Sequence, residues 1–255
     1  MPDQAILIAS FGTTHLDTLE KTIGAVERAV AAAFPDVVCR RAFTSNMIRA
    51  SLARQGMEIP DVPSALESLR SEGIRRVVVL PTHLICGEEY DKVSFAVQNA
   101  QDQFESIAIA APLITGIADM QAVLSVLRAE LPHTAEEGIV LMGHGTGHWC
   151  NTVYAAMNHY ASENGFPEFF IGTVEAWPDL DTVIASVRRS EYTRVVLTPL
   201  MLVAGDHAKN DMAGEWVAAF ANAGVSVRPV IRGIGEYAGI QQLYCARVRS
   251  AMARA

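Results

Sequence analysis

Two histidines and a glutamate stand out because each follows or closes a short apolar run: His144 in LMGHGTGH, Glu175 in GTVEA and His207 in LVAGDHAKNDM. Imidazole and carboxylate donors in that mixture suit a borderline divalent ion such as cobalt, iron, nickel or zinc. Three protein ligands also leave coordination positions for water or a substrate, which a catalytic metal needs. Each residue has a plainer use as well. A histidine after a strand often serves as a local hydrogen-bonding or capping group, and Glu175 could cap a helix starting near Pro178.

A second set of groups lies earlier in the chain. HLICGEEYDK carries the adjacent carboxylates Glu88 and Glu89, which could hold or shuttle protons if burial raises a pKa. They could equally form an acidic first helical turn. His83 opens the same segment, and SFGTTHLD supplies Ser10, Phe11, Gly12 and Thr13 on a small-residue turn suited to close ligand approach. Phe11 could pack on a flat ligand or fill the floor between domains. GHGTGH resembles a nucleotide-binding turn only poorly, since His148 stands where its last glycine belongs. His148 fits metal or proton traffic, or simple packing beside Trp149. No GxSxG elbow and no Walker lysine occurs.

These residues need a frame to bring them together. The chain has 255 residues, 50% of them hydrophobic and 19% charged, enough for a sizeable core in one large or two ordinary domains. The net charge of −8 argues against a nucleic-acid surface. The apolar residues of MPDQAILIASFG look like a first strand rather than a signal segment, and no run is long enough for a membrane helix. Cys39, Cys86, Cys150 and Cys245 lack CxxC spacing and lie in apolar segments, which fits reduced thiols in a cytoplasmic protein.

Strands are predicted at 4–10, 37–43, 75–81 and 106–112, then at 138–142, 169–175, 193–199 and 225–231, with helical stretches between them. The clearest helices are 14–33 and 237–253. The two sets of four align as a repeat. Gly12-Thr13 matches Gly145-Thr146, which sets Phe11 against His144. RVVVLPTHLICGEE matches RVVLTPLMLVAGDH, setting Gly87 on Gly205, Glu88 on Asp206 and Glu89 on His207. PLITGI from Pro112 matches PVIRGI from Pro229, and the weakest match places Thr44 near Glu175. The expected fold is therefore α/β: two similar domains from an internal duplication, each a four-stranded parallel sheet flanked by helices. The polar segment ELPHTAEEG sets the boundary, giving halves 1–130 and 131–255, with terminal helices free to pack across. His144, Glu175 and His207 all fall at carboxyl ends of strands, where open parallel sheets bind ligands.

The segments SFGTTHLDT, RAFTSNMI, HLICGEEYDK, LMGHGTGH, GTVEAWPD and TPLMLVAGDHAKNDMAG resemble those of the anaerobic-type sirohydrochlorin cobaltochelatases, within the wider class II chelatases. The resemblance spans nearly the whole chain. It implies two similar α/β domains with a cleft between them, and insertion of Co²⁺ into sirohydrochlorin on the early route to cobalamin. It further implies that His144, Glu175 and His207 bind the metal and that Glu89 handles protons. The chain departs from the family pattern at Thr146 after the GHG turn and at Trp177, where the family varies.

From these readings follows a mechanism. Two pyrrole protons leave as the metal enters; His144 accepts one and Glu89 relays the other. Ser10, Phe11, Gly12, Thr13, His83 and Glu88 are expected to meet the substrate, with Lys92, Lys209 and Arg49 as candidates for its carboxylates. The metal is bound as substrate, and no nucleotide, redox cofactor, nucleic acid or membrane is called for. Insertion of Fe²⁺ for siroheme, or non-catalytic carriage of a metal or tetrapyrrole, would use the same groups. A homo-oligomer is compatible with these features.

Overall fold

A computed structural model describes residues 3–254, and of Lys209 the backbone alone. Its residues gather into two compact units, one running to Thr115 and resuming at Ala238, the other Gly116–Tyr237.

In the first unit, β1 (Gln4–Ser10), β2 (Val38–Phe43), β3 (Arg76–Pro81) and β4 (Ser106–Ile109) form a parallel sheet ordered β2-β1-β3-β4. Its central strands are covered on both faces, so they read as unbroken apolar runs: Ala5, Ile6, Leu7, Ile8 and Ala9 are buried, as are Val77, Val78, Val79 and Leu80. Each such large aliphatic side chain contributes about 1.5–3 kcal/mol on burial. The flanking helices are α1 (Leu16–Lys21), α2 (Ile23–Ala33), α3 (Asn46–Ala53), α4 (Val62–Ser71) and α5 (Glu88–Asn99). Asp61 caps α4 by accepting from Ser64 N at 2.9 Å.

The second unit repeats the plan. β5 (Gly138–Gly143), β6 (Phe169–Thr173), β7 (Arg194–Pro199) and β8 (Ser226–Pro229) form a parallel sheet ordered β6-β5-β7-β8. Around it lie α6 (Ile117–Glu130), α7 (Thr152–Glu163), α8 (Leu180–Arg189) and α9 (Val217–Asn222), with a π-helical segment, Ala208–Trp216, leading into α9. The last helix, α10 (Ala238–Met252), returns to the first unit: Tyr244 Oη, fully buried, donates to Thr82 O at 2.7 Å, and Arg247 donates to Leu113 O at 2.8 Å.

Both sheets thus share one strand order, as the repeat requires, but two details of the alignment change. The backbone bonds Thr44 N→Ser10 O and Ser45 N→Phe11 O answer to Val174 N→Gly143 O and Glu175 N→His144 O. Phe11 is therefore the counterpart of His144, while Glu175 matches Ser45 and not Thr44. In the fourth strands, Val79 pairs with Ile109 where Leu197 pairs with Pro229, so Pro229 stands level with Ile109 and not with Pro112. The third strands agree as aligned: Ala9 pairs with Pro81 and Met142 with Pro199.

The boundary also differs from the expectation of 130/131. It falls at Thr115–Gly116, because α6 buries Met120, Val123, Leu124 and Leu127 within the second unit. Arg128 on α6 is held there by Glu168 and by Gly165 O. The polar segment read as a linker is a loop of that unit, where Glu137 accepts from Thr134 N at 2.9 Å and pairs with Arg228. No described helix is long and apolar enough to cross a membrane, and all four cysteines are free thiols.

Candidate metal centre

β5 ends at Gly143 and the chain turns at once, carrying His144 out beyond the sheet. The turn depends on Gly145, which has φ +87°; a Cβ there would also lie 2.9 Å from Ala176 N. Gly12 makes the matching turn in the first unit with φ +102°, and its Cβ would meet the Phe43 ring at 2.6 Å. β6 delivers Glu175, whose N–H donates to His144 O at 2.9 Å and so ties the two loops together. His207 follows β7 at the entrance to the π-helical segment.

The three side chains converge. One donor atom from each of His144, Glu175 and His207 lies within 4.8 Å of the other two, the only such trio among the described residues. The Glu175 carboxylate is 3.6 Å from His144 Nδ1 through one oxygen and 3.8 Å from His207 Nε2 through the other. The two imidazole rings meet edge to face with centroids 4.8 Å apart. His144 Nδ1 lies 2.9 Å from Gly145 O, so it carries the proton of the neutral ring and leaves Nε2 basic. His207 Nδ1 lies 2.7 Å from Asp211 Oδ2, which leaves its Nε2 facing Glu175. The side chains of His144, Glu175 and His207 are 49%, 53% and 35% exposed, so the centre is open to solvent and not a sealed structural site.

The first unit gathers a different group at its own strand ends. Glu89, in the first turn of α5, accepts from Thr44 Oγ1 at 2.5 Å on one carboxylate oxygen and from Lys92 Nζ on the other. Burial pushes its pKa up, but the hydrogen bonds from Lys92 and Thr44 outweigh burial and hold the carboxyl below the usual range. That direction is opposite to the one expected for a buried proton carrier. Both ring nitrogens of His83 are shielded and lack hydrogen-bond partners, although the residue as a whole is partly exposed. Burial pushes the His83 pKa down to about 4, against the opposing influence of Glu89, so its ring is neutral.

The chain matches the family of cobalt chelatases (CbiK) across residues 4–253. It is 38% identical to the sirohydrochlorin cobaltochelatase of Salmonella typhimurium, covering 98% of this chain and 96% of that one. It is 32% identical to the sirohydrochlorin cobaltochelatase CbiKC of Nitratidesulfovibrio vulgaris, covering 99% and 92%. The chain belongs to the cobalt chelatase family. Its fold is that of Bacillus subtilis SirB, solved with Fe³⁺ (TM-score 0.69, 15% identity, 99% and 96% of the two chains). A second SirB structure, from subspecies spizizenii and in complex with cobalt, matches with a TM-score of 0.68 at 15% identity.

Within this cobalt chelatase chain, the remaining anticipated residues divide by environment. Phe11 is 47% exposed, and Glu88 is exposed at the first position of α5. Ser10 is fully buried and its hydroxyl accepts from Thr82 at 2.8 Å, bracing β1 to β3. Thr13 is buried, with its hydroxyl oxygen accepting from His15 N at 3.2 Å. Lys92 is 61% exposed, whereas Arg49 is engaged by Asp61, Asn46 and Ile59 O. The side chain of Lys209 lies outside the described residues. His148 sits apart from the trio and caps a short 3₁₀ turn, its Nδ1 accepting from Cys150 N at 3.3 Å beside the Trp149 ring. Asp211, hydrogen-bonded to His207, is a neighbour of the candidate site whose only signal in the sequence is its spacing, four residues after His207 at a helix start.

Proposed function

We propose that this cobalt chelatase inserts Co²⁺ into sirohydrochlorin, the ion replacing two pyrrole N–H protons, which leave to acceptor groups and water. The observation that carries the reading is the convergence of His144, Glu175 and His207, donor atoms within 4.8 Å, at three strand ends. Two imidazoles and a carboxylate bind Co²⁺ without saturating it. Their exposure suits an ion that must be handed on rather than kept. Nε2 of a neutral His144 ring can take one pyrrole proton once the metal has moved to the macrocycle.

The second proton falls to Glu89, whose carboxylate is ionised while Lys92 and Thr44 bind it. Lys92 is also the exposed cation of that group, and a substrate carboxylate drawing it away would make Glu89 a stronger base. Trp149 and Trp177, 74% and 60% exposed, stand on the loops that carry His144 and Glu175 and offer flat apolar faces to a macrocycle. The exchange changes no oxidation state, so this reading requires neither a nucleotide nor a redox cofactor.

Sub-stoichiometric protein mixed with sirohydrochlorin and Co²⁺ under anaerobic conditions tests the reading through the visible absorption of the tetrapyrrole. Many turnovers per protein molecule are expected, faster with Co²⁺ than with Fe²⁺ or Ni²⁺. Cobalt binding without turnover would make the protein a carrier, and a faster rate with Fe²⁺ would overturn the choice of metal.

A further inference from the structure

We infer that Asp211 is a positioning residue that fixes the ring orientation and tautomer of His207, so that Nε2 is presented to the incoming metal. The inference rests on the proposed metal site and deepens it. His207 Nδ1 and Asp211 Oδ2 are 2.7 Å apart, the length of a charge-assisted hydrogen bond. The ring then carries its proton on Nδ1, and Nε2, with its lone pair, faces Glu175 at 3.8 Å. A histidine ligand whose other nitrogen donates to a carboxylate is both oriented and made more basic toward the metal.

The backbone explains why this pair forms. Ala208–Trp216 winds as a π-helix, whose i→i+5 bonds make a wider turn than the 3.6 residues of an α-helix. Residues four apart lie on one face of a helical turn, which brings the Asp211 carboxylate beside His207. His144 is held differently, by the carbonyl of its neighbour Gly145. The two histidines therefore have unlike supports: a neutral carbonyl behind one, a carboxylate behind the other. Asp211 also lies in the first turn of the π-helical segment, where a carboxylate favours helix formation, so stability and metal binding must be read separately.

The test measures Co²⁺ affinity from the visible bands of the bound ion, together with insertion rate and melting temperature, for the wild type and for Asp211→Ala, Asp211→Asn and His207→Ala. Asp211→Ala is expected to bind Co²⁺ about 10–100-fold more weakly and to insert it correspondingly slowly. Asp211→Asn, whose amide oxygen still accepts from Nδ1–H, should recover most of that loss. Wild-type affinity and rate in folded Asp211→Ala, with only the melting temperature lowered, would reduce Asp211 to a helix-stabilising residue and overturn the inference. His207→Ala separates the two readings. If it binds Co²⁺ as tightly as the wild type, the metal site itself is wrong; if it loses binding while Asp211→Ala does not, only the positioning role fails.

Discussion

Lys92 and Thr44 each donate to one oxygen of the Glu89 carboxylate, and together they hold it ionised against the cost of its burial. A carboxylate so held is a weak proton acceptor until Lys92 moves. If Glu89 accepts a proton only its deprotonated form can do so, and its ionisation then contributes to the acid limb of the pH–rate profile beside those of the imidazoles that must be unprotonated to bind the metal. Replacing Lys92 by Met removes the larger of the two stabilising hydrogen bonds, so the Glu89 pKa rises and the acid limb of kcat/KM shifts to higher pH. Glu89→Gln should lower the rate by about 10²-fold or more. A wild-type rate in Glu89→Gln would separate Glu89 from the rate-determining proton transfer.

The GHG turn makes a second prediction. Gly145 needs positive φ and has backbone within 2.9 Å of where a Cβ would stand. Gly145→Ala should cost about 2 kcal/mol from backbone strain alone, more if Ala176 must shift. Because His144 bonds to Gly145 O, cobalt affinity should fall with it. Urea denaturation and cobalt titration of this variant measure both, and unchanged values in each would refute the turn's role.

His83 supplies a third through its depressed pKa. An unfolded chain takes up a proton on this residue near pH 6.5, whereas the folded ring resists until about pH 4. Between those values the unfolded state binds more protons, so stability falls as the pH is lowered through the window. By pH 4.5 this one group should have removed about 2–3 kcal/mol. His83→Leu should match or exceed wild-type stability at pH 7, since no satisfied hydrogen bond is lost, and should lose less on acidification. Equal acid sensitivity in the two proteins, from urea midpoints at pH 7 and 4.5, would contradict the neutral buried ring.

Much of this was legible because parallel strands buried on both faces leave unbroken runs such as RVVVLP and RVVLTP, and because ligand groups in such sheets lie beyond strand ends. His144, Glu175 and His207 could be placed by that rule alone, and the structure does bring them together. Other features depend on information that apolar patterns do not carry. The Glu175 counterpart is settled by Ser45 N→Phe11 O, a backbone bond with no side-chain signature. The boundary misled because α6 looks the same whichever sheet it covers, while ELPHTAEEG is polar simply because it is a loop. The Glu89 pKa turns on two hydrogen bonds outweighing burial, a balance that adjacent carboxylates in a sequence do not reveal. Asp211 stayed hidden because HAKND reads as an ordinary helical turn, where an i,i+4 pair is common and does not by itself mark a ligand's support.

The most direct measurement is the initial rate of cobalt insertion into sirohydrochlorin by wild type, His144→Ala and His207→Ala, each confirmed folded by its melting temperature. Loss of either imidazole should lower the rate by about 10²-fold or more, with cobalt affinity falling in parallel. Wild-type rates in both variants would contradict a metal centre built from His144, Glu175 and His207.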